Sequence, residues 1–79
     1  MNAEIEISTD GKTVWVNAEN GLIGRFSQRG IDVHNRENNA CLACIPGPCD
    51  LNAWKRFRVN MYWHHEIFID NKYMPEYLR

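Results

Sequence analysis

EIEISTDGKTVWVNAENGLIGRF, residues 4–26, alternates apolar and polar side chains and is broken twice by a turn pair, Asp10-Gly11 and Asn20-Gly21. A period of two marks a strand that buries one face. An Asp-Gly or Asn-Gly pair between two such runs marks a hairpin, because the tight turn needs positive φ. A two-residue turn at Asp10-Gly11 pairs Ile7 with Val14 and Ile5 with Val16, all four on one face. The same arithmetic at Asn20-Gly21 sets Ala18 opposite Ile23 on that face and Trp15 opposite Phe26 on the other.

Downstream, Gln28-Arg29-Gly30 reads as a third turn with Gly30 in a left-handed position. Ile31 and Val33 then rejoin the apolar face, with Asp32 and His34 opposite. The inner face becomes Ile5, Ile7, Val14, Val16, Ala18, Ile23, Ile31 and Val33. In this register Arg25 turns inward opposite Val16. It either snorkels to water along its stem or anchors a carboxylate or another anion.

After a polar stretch and the run Cys41-Leu42-Ala43-Cys44-Ile45-Pro46-Gly47-Pro48-Cys49, Asp50 is placed to cap a helix that runs to His65. At 3.6 residues per turn, Leu51, Trp54, Phe57, Met61 and His65 form one apolar stripe that should cover the sheet. Ile67, Phe68 and Ile69 read as a short edge strand, and Tyr73, Met74, Tyr77 and Leu78 can fold back onto the core. The expected fold is α+β: a four- to five-stranded antiparallel meander with one C-terminal helix packed on one face. Its parts are a β-meander over residues 3–35, a cysteine loop over 36–49, a helix over 50–65, a short strand over 66–70 and a tail over 71–79.

Seventy-nine residues make one domain with one small core, which leaves little surplus stability without a metal, a disulfide or a partner. A formal net charge of −1 argues against a broad electrostatic grip on nucleic acid. Neither a signal peptide nor a membrane span is visible, so a reducing, cytoplasmic setting is expected. There, three cysteines point to metal or reactive thiols rather than structural disulfides. Cys41-x2-Cys44 can offer two thiolates to a tetrahedral zinc, with Cys49 as a third ligand and His34, His64, His65 or a non-histidine group as a fourth. The bland alternative is three packed thiols acting as small apolar side chains. A redox-active Cys41–Cys44 pair is the remaining option. It lies apart from the helix start, and Cys49 is the thiol closest to those activating N–H groups.

Two surfaces stand out as contact candidates. Trp15 and Phe26, paired on the outer sheet face and flanked by Glu6, Asp32 and His34, would make an exposed aromatic patch. Trp63 should also point away from the sheet, beside Lys55, Arg56 and Arg58, a mixture that can track phosphates and stack on bases. No glycine-rich phosphate loop, His-Glu-x-x-His or nucleophile elbow is present, so no enzyme is expected.

The segments Val14-Trp15-Val16-Asn17, Ile23-Gly24-Arg25-Phe26 and Gly30-Ile31-Asp32-Val33-His34, followed by Cys41-Leu42-Ala43-Cys44, resemble short uncharacterised proteins of bacteria and their phages. Those proteins carry an I-G-R-F…G-I-D-V-H segment before a C-x-x-C pair and a helix. The resemblance spans about residues 14–60. It implies a bacterial or phage source and a special role for Arg25 and His34, and no activity. The function expected is a non-enzymatic module that binds another protein, or a second copy of itself, through Trp15, Phe26, Arg25 and Trp63. The alternatives are a zinc-stabilised nucleic-acid binder and a thiol redox protein.

Overall fold

The computed structural model describes residues 2–79. Strands β1 (Ala3–Ile7), β2 (Val14–Ala18), β3 (Leu22–Ser27), β4 (Gly30–Asn35) and β5 (Cys41–Pro46) form one antiparallel meander in chain order. Helix α1 (Leu51–His65) follows, and two 3-10 turns, Asn71–Tyr73 and Glu76–Leu78, end the chain. The α+β meander with one helix after it is the architecture expected from the sequence.

The first hairpin keeps the expected register, Ile5 with Val16 and Ile7 with Val14. Its loop is wider than two residues: Ser8 N–H donates to Thr13 O at 2.9 Å, and Gly11 alone of the Asp-Gly pair has positive φ, 72°. A four-residue loop about the same centre leaves the pairing unchanged.

The second hairpin differs. Gly21 takes φ 93° and its N–H donates to Ala18 O at 3.1 Å, closing a three-residue loop over Glu19, Asn20 and Gly21. An odd loop shifts the pairing by one residue: Val14 meets Phe26, Val16 meets Gly24 and Trp15 meets Arg25. A one-residue slip turns every side chain over. Phe26 and Leu22 therefore enter the core, while Ile23 and Arg25 face outward. Ile23 is not an inner-face residue, Phe26 is not on the surface, and Arg25 is neither a buried anchor nor a snorkelling stem.

Gly30 is likewise not left-handed. It opens β4 with ordinary strand geometry, and a Cβ there would lie 2.8 Å from Ile45 O on β5. What glycine supplies at this position is close backbone approach.

The fifth strand is Cys41–Pro46, inside the stretch expected to be a loop, and residues 66–70 form none. Glu66 ends α1 in the left-handed region, φ 55°, and the chain turns into the core instead of reaching a sheet edge. Ile67 and Ile69 are buried and Phe68 is exposed, so the alternation is real but among the described residues no strand pairs with it.

Asp50 caps α1 as expected, its Oδ1 accepting from Ala53 N–H at 2.9 Å. Trp54, Phe57 and Met61 are the buried stripe, while Leu51 is exposed and His65 half-buried at its two ends. Phe26 meets Trp54 edge-on, with ring centroids 5.1 Å apart, and lies 5.5 Å from Phe57. Gly24 sits under the helix, and a Cβ there would be 3.3 Å from Met61 Cε. The tail then closes the β1 side of the core. Trp54 Nε1–H donates to Asn71 Oδ1 (2.9 Å), Glu76 N–H to Gly11 O (3.1 Å) and Tyr77 Oη–H to Cys49 O (2.8 Å). Tyr73, Met74, Tyr77 and Leu78 pack against the core as anticipated.

This register has a direct test by urea denaturation. Phe26→Ala should cost about 3–5 kcal/mol, and Trp15→Ala no more than about 1 kcal/mol. The opposite ranking would restore a two-residue turn at Asn20-Gly21.

Candidate functional site

Residues three apart on a regular strand face opposite sides, so Cys41 and Cys44 should be separated by the sheet. They are not. The β4–β5 ladder pairs Asp32 with Cys44 and Val33 with Ala43, then skips Leu42 and pairs His34 with Cys41. Leu42 is the extra residue of a β-bulge, and the bulge brings Cys41 back to the outer face occupied by Cys44 and Asp32.

The Asp32 carboxylate and the Cys41 and Cys44 Sγ atoms all lie within 4.8 Å of one another, close enough to hold a metal ion. Both thiols are free and exposed, and Asp32 is half-buried. His34 stands beside this group without joining it. Its Nδ1 is 3.6 Å from Asp32 Oδ2, is closed off from solvent and has no hydrogen-bond partner.

Cys49 lies elsewhere. It is buried in the core at the start of α1, so the structure does not bring it to Cys41 and Cys44. Asp32, and not Cys49, is the third ligand-type side chain beside the two thiols. Burial, and then the charge of Asp50, push the Cys49 thiol up, the direction opposite to the lowering expected at a helix start. The same surroundings push the Tyr77 hydroxyl up to about 12, through burial first and then the Cys49 and Asp50 charges.

The inner face carries a second feature. Between α1 and the β4–β5 edge is an opening of about 450 Å³, floored by Ile31, Val33, Phe57 and Met61 and flanked by Leu42 and Ile45. Leu42 is 54% and Ile45 48% exposed, high values for large apolar side chains. Arg56, His64 and His65 also line it, and among the described residues no carboxylate does. Burial, then the charge of His64, hold the His65 pKa down. His64 and His65 thus belong to this opening and not to the cysteine pair. The sequence signal for the opening was the apolar Leu42 and Ile45, which go unread as a face when residues 36–49 are taken as a loop.

The expected contact residues separate. Phe26 is in the core, and Trp15 is half-buried with the Arg25 guanidinium 5.8 Å from its ring centroid. Trp63 is 75% exposed on the outer side of α1, edge-on to Tyr62 at 6.0 Å. The basic residues form no common strip. Arg58 donates from Nε to Ile69 O (2.8 Å) and from Nη1 to Asn71 Oδ1 (3.3 Å), Arg56 lines the opening, and Lys55 is exposed. Among the described residues, no helix is long and apolar enough to cross a membrane. No family model, curated protein or solved structure matches the chain.

Two measurements check this placement. A short iodoacetamide pulse on the folded, reduced protein should label Cys41 and Cys44 and spare Cys49 until the chain is unfolded; equal labelling of all three would refute its burial. Tyr77 should also make stability fall with alkali. The unfolded phenol ionises near pH 10 and the folded one near 12. Within that window the folded state holds the extra proton, so stability drops as pH rises. Tyr77→Phe should flatten that slope in pH-dependent denaturation.

Proposed function

We propose that this chain is a non-enzymatic interaction module that holds an extended segment of another protein along β5, in the opening beneath α1. The observation that carries this reading is the apolar opening itself, lined on one side by an edge strand. β5 contains no charged residue, whereas the other edge, β1, carries exposed Glu4 and Glu6. Edge strands normally carry charge or cover against unwanted pairing, so an uncharged edge with exposed apolar side chains favours a strand-like partner. Such a partner gains main-chain hydrogen bonds from the edge and places alternate side chains in the opening. Arg56 in a lining that holds no carboxylate among the described residues favours a partner that also carries Asp or Glu.

The Trp15–Phe26 patch is not part of this surface, because Phe26 is buried. Nucleic-acid binding is the weaker reading, since Arg58 is tied into the tail and the net charge is −1. Zinc is the cofactor that suits the module, as an accessory on the opposite face of β5.

Panning short random peptides against the reduced full chain tests the proposal. Enriched sequences should alternate apolar residues and contain at least one acidic one, and Leu42→Glu or Ile45→Glu should weaken their binding at least tenfold, about 1.4 kcal/mol. Absence of enrichment, or peptides indifferent to both substitutions, would reject the opening as their site. A dimer in sedimentation that Ile45→Glu dissolves would give the surface to a second copy. Oligonucleotide binding that falls steeply with salt would favour the basic residues instead.

A further inference from the structure

We infer that Asp32, Cys41 and Cys44 form a zinc site with three protein ligands and a fourth position open to solvent. The donor set selects the ion. Two thiolates are soft ligands that suit zinc over calcium or magnesium, and one carboxylate completes a set that zinc accepts. Two cysteines fall short of the four thiolates that an iron–sulfur cluster ordinarily takes.

Distances agree with this assignment. Around a tetrahedral zinc with sulfur at about 2.3 Å and oxygen at about 2.0 Å, neighbouring ligand atoms sit roughly 3.5–3.8 Å apart. The three atoms here lie within 4.8 Å of one another, so closure about an ion needs roughly 1 Å of side-chain movement. Both thiols are exposed on the edge strand β5, whereas Asp32 is half-buried on β4, which gives that movement to the cysteine side chains.

The backbone makes the site. Were Cys41 to Cys44 a regular strand with no bulge at Leu42, Cys41 would lie on the opposite face from Cys44. A bulge costs a local break in the ladder, and here it gathers three ligand-type side chains on one face. His34 takes the place of a positioning residue. Its Nδ1, unpartnered and 3.6 Å from Asp32 Oδ2, is within a small rotation of steadying the carboxylate. Cys49 has no part in the site.

This inference is independent of the docking proposal: it concerns the other face of β5 and reads out without any peptide. The test is a cobalt(II) titration of the full-length, reduced protein without a polyhistidine tag. The expected result is a near-ultraviolet thiolate-to-cobalt charge-transfer band that saturates at one ion per chain and disappears when zinc is added. Cys41→Ser and Cys44→Ser should each abolish the band, and Asp32→Asn should weaken binding at least tenfold. His34→Ala should weaken it about tenfold while keeping the band. Cys49→Ser should leave band and stoichiometry unchanged. Far-ultraviolet circular dichroism confirms that each variant is folded, which Cys41 and Cys44, both exposed, make a mild requirement. No band with excess cobalt overturns the site. So does an undiminished band in Cys41→Ser, or its loss in a folded Cys49→Ser.

Discussion

The loop over Glu19, Asn20 and Gly21 fixes on which side of the sheet everything after it lies. Because that loop is odd, β3 presents Leu22, Gly24 and Phe26 inward, and α1 can sit down on Gly24 with Met61 and Phe57 while Phe26 rises beside Trp54. An even loop would have put Ile23 and Arg25 beneath the helix. A buried guanidinium with no carboxylate near it costs several kcal/mol, which a core of this size does not have to spare. Core composition and turn length thus select each other. The described core contains no buried charged residue, and Cys49 serves within it as a small apolar side chain.

Much of this was legible in the residues. Alternation gave the strands, the Asp10-Gly11 centre gave the first register, and Asp50 with the Trp54, Phe57 and Met61 stripe gave the helix and its buried face. What failed was turn length. Asp-Gly and Asn-Gly announce a left-handed glycine equally for two-, three- and four-residue loops, and only the count of residues around it sets the parity. The symptom was nonetheless present: Arg25 fell on the inner face, and a misplaced arginine is the signature of a slipped register. β5 was hidden for a different reason. Cys41 to Pro46 has no polar alternation, because its bulge breaks the period of two and both of its faces remain partly open. Asp32 is legible as an outer-face residue but not as a neighbour of the thiols, since Cys41 and Cys44 meet it there only through that bulge.

β5 is consequently asked to do two things at once. Its outer side gathers Cys41 and Cys44 next to Asp32, and its inner side presents Leu42 and Ile45 to the opening. The residue that makes the bulge is the one that faces the opening, so the backbone distortion serving the thiol cluster also sets the direction of Leu42.

Area explains why the opening exists. A fifteen-residue helix is about 22 Å long and 10 Å across, while five strands of five or six residues make a surface roughly 20 Å on a side. Whatever its direction, such a helix covers about half of that face. On the β1 side the rest is covered by the tail, through Ile67, Ile69, Pro75 and the hydrogen bonds from Glu76 and Trp54. On the β5 side no described segment does the same, and the uncovered strip is apolar where a solvated sheet face would alternate polar residues. A face meant for water would carry Lys, Thr or Glu at Leu42 and Ile45. Apolar side chains stand there instead, with Arg56 at the rim and an uncharged strand edge alongside, which is the surface that the proposed extended, apolar and acidic partner would require.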